Sequence, residues 1–225
     1  MEGVILKDFG GTDNFVMDDN LPIPVPGDSE ILVEIKATAF NPIDYQIRQG
    51  KTERKRMHSP ILGREFSGIV IKTGALVTRF SVGDAVFAAS GSIGSNGTYA
   101  QYISIPELIA AKIPNDLSFD AAAAIPVVCL TALQTFNRLP LKEGDRIFIS
   151  GGAGGVGLAL IKLLLAAGHT RLIATAGNPE SKQQVINAGL PENQIIDYRQ
   201  ENLAAVTIAA NNGFQFDHSI DTAGG

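Results

Sequence analysis

The sequence predicts an α/β protein in two parts: a β-rich part over residues 1–120 and a partial doubly wound parallel sheet over residues 121–225. Three observations predict it. Short apolar segments, several of period two and separated by Pro and Gly, fill the first part. Strand-like and helix-like segments alternate from Arg146 onward. A glycine-rich turn, Ser150 to Gly157, stands between the first strand and the first helix of that alternation.

In the first part, Ile31, Val33, Ile35, Ala37 and Ala39 alternate with Leu32, Glu34, Lys36 and Thr38. This period of two predicts a strand with one buried face and one largely wet face. Phe66–Thr73 and Thr98–Ile105 are further strand candidates, the latter with Tyr99 and Tyr102 on opposite faces. Pro22, Pro24, Pro26–Gly27, Gly83–Asp84 and the loop from Gly91 to Gly97 punctuate them, as in a barrel or sandwich. The character changes near Ser118. Ser118 and Asp120 can cap a helix at Ala121–Ala124, Pro126 kinks or restarts it, and helix continues to Leu139. Strands are then expected at Arg146–Ser150, Arg171–Thr175, Gln194–Asp197 and Phe216–Asp221. Helices are expected at Gly155–Ala167, Glu180–Ala188 and Glu201–Ala210, the first two closed by Gly168 and Gly189. Such alternation implies a parallel sheet with helices on both faces.

Gly152-x-Gly154-x-x-Gly157 is weak evidence alone, but here it follows a strand and opens an apolar helix. Gly152 is expected to permit the tight turn. Gly154 would let the backbone approach a pyrophosphate, and Gly157 would let helix and strand pack closely. The phosphates would sit at the helix N-terminus, where free N–H groups favour negative charge. A Walker-type loop fails, because Leu158 and Ala159 stand where Lys and Ser/Thr would be needed. Where an acidic residue would meet an unphosphorylated ribose, the strand ends in Thr175-Ala176-Gly177-Asn178. A 2′-phosphate would meet no like charge there. Lys182 is near enough in sequence to pair with it, or is simply an exposed helix lysine; Tyr198 and Arg199 end the next strand.

The bulk numbers narrow the function classes. The chain has 225 residues, 45% of them hydrophobic, and a net charge of −5. That balance does not suggest a nucleic-acid or membrane partner. The one basic cluster, Lys51, Arg54, Lys55 and Arg56, reads as a solvated loop without interleaved aromatics. The opening MEGVILKDFG has no apolar signal region, and no apolar run approaches the roughly 18 residues of a membrane span. The single cysteine, Cys129, excludes an internal disulfide and a cysteine-based metal site. Together these lead us to expect a cytoplasmic protein.

Several motifs in series carry a resemblance along the whole chain. They are Asn41-Pro42-Ile43-Asp44-Tyr45 with Arg48 and Gly50, then Gly63-Arg64-Glu65-Phe66-Ser67-Gly68, then Gly97-Thr98-Tyr99-Ala100-Gln101-Tyr102. Ala121 to Ala132, Ser150 to Gly157, Asp197-Tyr198-Arg199 and Asp221-Thr222-Ala223-Gly224-Gly225 continue the series. In this the chain resembles the zinc-independent quinone oxidoreductases of the medium-chain dehydrogenase/reductase superfamily. The resemblance implies a GroES-like β-rich catalytic domain joined to a Rossmann domain, with the active site in the cleft between them. It implies NADP(H) as cofactor, a quinone or α,β-unsaturated carbonyl as acceptor, and a homodimer at full length.

By the same resemblance, Asn41 matches the polar active-site residue beneath the nicotinamide, and Tyr45 helps hold substrate or is packed core. Thr131 matches the residue that contacts the nicotinamide ribose or ring. Gly152, Ala153, Gly154, Gly155, Val156 and Gly157 match the pyrophosphate contacts. Asn178, Lys182 and Tyr198 match the holders of the adenosine 2′-phosphate. Zinc-dependent relatives place Cys near Asn41 and His at Arg64; neither is present here, and no metal is expected. Relatives also continue about a hundred residues further, so the chain is expected to be a C-terminally truncated form with four of six Rossmann strands. Without zinc, negative charge on the acceptor would be stabilised by donors such as Asn41 or Tyr45, or by water. Reduction of an alkenal, enone or enoyl-thioester double bond is the second enzymatic expectation. A non-catalytic dinucleotide-binding or nucleic-acid-binding protein is the third, with little basic surface in its favour.

Overall fold

The computed structural model describes residues 1–50, 55 and 57–223. Lys51, Arg54 and Arg56 of the basic cluster, and the last two glycines of the Asp221–Gly225 motif, lie outside the described residues. The chain divides into two compact units, Met1–Val127 and Val128–Gly225. Among the described residues, no helix is long and apolar enough to cross a membrane.

In the first unit, β1 (Gly3–Leu6) pairs antiparallel with β2 (Phe15–Asp18). After β3 (Glu30–Thr38) comes α1 (Pro42–Arg48), then β4 (Glu65–Thr73), β5 (Ala85–Ala89), β6 (Tyr102–Pro106) and β7 (Ala110–Lys112). The five later strands form one antiparallel sheet in the order β6-β3-β4-β5-β7. Its core is Ile31, Val33, Phe66, Val70, Val86 and Ile103 with their neighbours. The period-two reading of β3 holds for Ile31 and Val33, but Leu32, expected on the wet face, is 5% exposed. The reason is a layer on that side. Ser67, on the opposite face of β4 from Phe66, donates its hydroxyl to the Phe119 carbonyl (2.6 Å). That bond seats α2 (Phe119–Ala123) over the face that also carries Leu32.

Two expectations for this unit change. The strand expected over Thr98–Ile105 begins only at Tyr102. The peptide groups before it are taken elsewhere: Val4 donates to the Tyr99 carbonyl and Tyr99 N–H to the Leu62 carbonyl. The helix α1 was not expected, although its local signals are present. Asn41 is its extended N-cap, Pro42 opens it, and the Asp44 carboxylate accepts the Asn41 N–H (2.9 Å). Near Ser118 the expectation stands: Ser118 accepts from Ala121 N–H to cap α2, and Pro126 restarts the chain as α3 (Pro126–Arg138).

In the second unit the expected alternation appears: β8 (Ile147–Ser150), α4 (Gly155–Ala166), β9 (Leu172–Ala176), α5 (Pro179–Asn187), β10 (Ile195–Asp197), α6 (Leu203–Ala210) and β11 (His218–Asp221). All pairings are parallel, in the order β10-β9-β8-β11. This is a partial doubly wound sheet, strand order 3-2-1-4 from its first strand. Helix α6 starts at Leu203 rather than Glu201, because Asn202 takes a left-handed cap conformation (φ 54°) and accepts from Ala205 N–H. Ile147, Ile149, Leu160, Ile161, Leu164 and Leu172 are completely buried in the core of this unit.

Candidate functional site

The glycine turn connects β8 to α4. The sharp reversal falls on Gly151 (φ +73°), not on Gly152 as expected. Gly152 is constrained for another reason: a Cβ there would lie 2.7 Å from Ala174 Cβ on β9. Gly157 has no room either, its Cβ direction ending 2.4 Å from the Gly151 carbonyl oxygen and 2.8 Å from Gly152 Cα. Gly154, the N-cap of α4, differs. Its Cβ would meet only the Gly151 oxygen, at 3.3 Å, so its outer side is open. An open backbone at Gly154, followed by the free N–H groups of a twelve-residue helix, is the cradle a pyrophosphate requires. Two threonines brace it: Thr175 accepts from Gly151 N–H (3.0 Å), and Thr222 donates to the carbonyls of Ser150 and Gly151 (2.7 and 3.0 Å).

The carboxyl ends of β9 and β10 open onto a cavity of about 390 Å³. Ligands of parallel sheets bind at such strand ends. Asn178 and Lys182 both line it, with Ala176, Asp197 and Arg199. Asn178 caps α5, its side-chain oxygen accepting from Ser181 N–H (2.7 Å). Lys182 pairs with Glu192 at 2.8 Å. Tyr198 is 56% exposed, and its ring fills the space beside Gly177, where a Cβ would lie 2.4–2.5 Å from it. Any larger residue at 177 would push that ring away.

Thr131 lies on the exposed side of α3, where its carbonyl accepts from Thr135. One turn earlier, Val128 packs against Gly155, whose Cβ would meet Val128 Cγ1 at 2.8 Å. The i, i+3 spacing puts Thr131 on the same side of α3 as Val128, the side facing the start of α4.

Asn41 and Tyr45 belong to the first unit. Asn41 is 4% exposed and donates its amide to Glu65 Oε1 (2.7 Å), while Glu65 Oε2 accepts the Val127 N–H (2.7 Å). Glu65 is 1% exposed, and burial raises its pKa above the ordinary carboxylate value against the hydrogen bonds from Val127 and Asn41. Asp44, 2% exposed, is raised by burial in the same way. Its Oδ1 and the Tyr99 hydroxyl are both buried and, among the described residues, lack a partner in hydrogen-bond geometry, yet each influences the other's ionisation. Burial, then Asp44, hold the Tyr99 phenol far above its usual range. Tyr45 is not packed core: it is 38% exposed and stacks on Phe40, itself 67% exposed, with centroids 6.4 Å apart.

Sequence reasoning missed Asp44, Glu65 and Tyr99 as members of this network, and Asp197 and Arg199 as cavity residues. Glu65 and Tyr99 stood in recognisable motifs, but the partners of Glu65 lie 24 and 62 residues away, beyond any local pattern. Among the described residues, no group of three or more His, Cys, Asp and Glu side chains is placed to hold a metal ion.

Residues 27–115 match the alcohol dehydrogenase GroES-like domain. Human quinone oxidoreductase is 29% identical over 203 residues, 90% of this chain and 60% of that protein. The NADPH-dependent alkenal/one oxidoreductase of Arabidopsis thaliana chloroplasts is 29% identical over 209 residues, 90% of this chain and 54% of that one. The chain thus spans little more than half the length of these two relatives. The structure of the quinone oxidoreductase from Coxiella burnetii superposes with a TM-score of 0.85 at 30% identity, over 100% of this chain and 69% of that one. Common descent explains why a GroES-like sheet, a strand–glycine turn–helix and the series of motifs occur together in this order, and the chain belongs to the quinone oxidoreductase family of the medium-chain dehydrogenase/reductase superfamily.

Proposed function

We propose that the protein is an NADPH-dependent, zinc-independent reductase of quinones or related electrophilic carbonyls. One observation carries the reading: the strand that runs into the open glycine turn pairs with β9, whose carboxyl end carries a cavity lined by Asn178 and Lys182. In this reading Gly152 to Gly157 hold the pyrophosphate, and Asn178, Lys182 and Tyr198 hold the adenosine 2′-phosphate. Thr131 contacts the nicotinamide end, and Asn41 and Tyr45 contact the acceptor. NADPH, when bound, supplies the hydride. The chain's own work is to orient and to stabilise charge. Glu65 fixes the Asn41 amide through one N–H, and the capping box of α1 engages the Asn41 oxygen with the Asp44 N–H, so the second amide N–H is the group Asn41 would offer a ligand. The exposed Phe40–Tyr45 pair offers an aromatic surface to a flat acceptor. The kinship with human quinone oxidoreductase supports the acceptor class.

The Arabidopsis relative favours a second reading, reduction of the double bond of an alkenal or enone. The two readings separate by acceptor kinetics: NADPH oxidation with 1,4-benzoquinone against a 2-alkenal and an enone. Metal-free protein should turn over quinone, and near-stoichiometric zinc lost together with activity would sink the zinc-independent reading. For the cofactor, Lys182→Ala should weaken NADPH about tenfold, the scale of one charge-assisted contact, and leave NADH nearly unchanged. Equal losses for both would show that Lys182 does not contact the phosphate.

A further inference from the structure

The cavity at the ends of β9 and β10 carries two cations, and each already has a carboxylate. Lys182 meets Glu192 at 2.8 Å. Arg199 grips Asp197 with a fork, Nε to Oδ1 at 3.0 Å and Nη2 to Oδ2 at 2.7 Å. The two carboxylates are not equivalent. Asp197 lines the cavity together with Lys182 and Arg199, whereas Glu192 is not among its lining residues and draws Lys182 from outside. Asp197 is also locked in place, because its Oδ1 accepts the Arg199 backbone N–H (2.9 Å) at the turn that ends β10. The Arg199 side chain is 59% exposed and can leave the fork at small cost, as exposed ion pairs do.

We propose that Asp197 and Arg199 together set the discrimination between phosphorylated and unphosphorylated ribose, with Arg199 a phosphate ligand and Asp197 its built-in competitor. This rests on the reading of the cavity as the adenosine end of an NADP(H) site. A 2′-phosphate entering the cavity meets two guanidinium or ammonium groups, but it must take Arg199 from Asp197 and lie beside that fixed carboxylate. A free ribose 2′-hydroxyl meets the same carboxylate as a hydrogen-bond acceptor. Asp197 therefore pulls the preference toward the hydroxyl, and Arg199 pulls it toward the phosphate. The forked contact to Arg199 keeps the Asp197 pKa down at about 2, so the carboxylate is ionised wherever the protein is assayed. The usual selectivity carboxylate would stand at the end of β9, where this chain has Ala176 and Gly177; here the acid comes from the neighbouring strand instead.

The test is calorimetric titration of the full chain with 2′,5′-ADP and with 5′-AMP, so that the 2′-phosphate is the only difference. The readout is the ratio of the two dissociation constants. Asp197→Asn should raise the preference for 2′,5′-ADP by roughly three- to fivefold, the effect of releasing one exposed ion pair. Arg199→Gln should lower it by at least as much. Glu192→Gln, acting from outside the cavity, should raise it through Lys182 and provides a second variant should Asp197→Asn fold poorly. An unchanged ratio in Asp197→Asn and Arg199→Gln, with a lowered ratio in Lys182→Ala, would overturn this inference and leave the NADP(H) reading standing. A ratio near one in the wild type that Lys182→Ala also leaves unchanged would overturn both.

Discussion

Glu65 is the residue on which the first unit concentrates its buried charge. It bridges two donors that the sequence holds far apart, the Asn41 amide and the Val127 N–H. Burial outweighs those two bonds and raises its pKa above the ordinary 4.5. A carboxyl raised in the folded state contributes stability that is fully present below about pH 4.5 and is lost as the pH climbs through the higher folded value. Glu65→Gln removes that titration while keeping one side-chain oxygen as acceptor for the Val127 N–H. The melting temperature of the wild type relative to Glu65→Gln should therefore be highest near pH 4 and fall toward pH 8. A difference independent of pH would show that the two hydrogen bonds fully offset burial. Asn41 was legible as a site residue because its motif is contiguous. Its partner's role was not, because a hydrogen bond across 24 residues leaves no trace in local spacing.

The turn between β8 and α4 shows how far an element can be read from its letters. The tight packing at Gly157 and the open backbone at Gly154 were legible in its motif, but the duty of Gly152 was not, since that depends on what lies opposite its missing Cβ. Gly157 faces backbone that cannot yield, and Gly154 faces almost nothing. Gly157→Ala should cost about 1–3 kcal/mol of stability, the range for overpacking a tight site. Gly154→Ala should melt within a degree or two of wild type but bind NADPH much more weakly, because the new methyl stands where the pyrophosphate would approach. Thermal melts paired with NADPH titrations separate the two; the reverse pattern would show that the roles are exchanged. Elsewhere, the strands and helices of the parallel sheet were found within about two residues because caps, glycines and periodicity are local signals. Strands β1, β2, β5 and β7 and the seven-residue α1 escaped because they are too short to show a period. The start of β6 was misplaced because Val4 and Leu62, remote in sequence, decide which peptide groups join the sheet.

Across the whole chain, the fold class was readable because it depends on the order of elements, and that order is written along the sequence. What order does not reveal is how energy is partitioned, and here the structure adds a specific expectation. The two units have separate cores. Phe66, Ile31 and Ile103 centre one, and Leu164, Leu160 and Ile147 the other, and among the described residues no buried residue is common to both. A cavity made in one core removes contacts only from its own cluster, so its cost should fall first on the local stability of that unit. Leu164→Ala should cost about 2–5 kcal/mol and Phe66→Ala about 3–5 kcal/mol, the usual range for fully buried side chains. Native-state hydrogen exchange locates each loss. In Leu164→Ala the amides of β8 and β9 should exchange faster while those of β3 and β4 keep their protection, and Phe66→Ala should give the opposite map. If either substitution lowers protection equally in both units, they unfold as one cooperative body, and the separation of their cores does not set the stability of the protein.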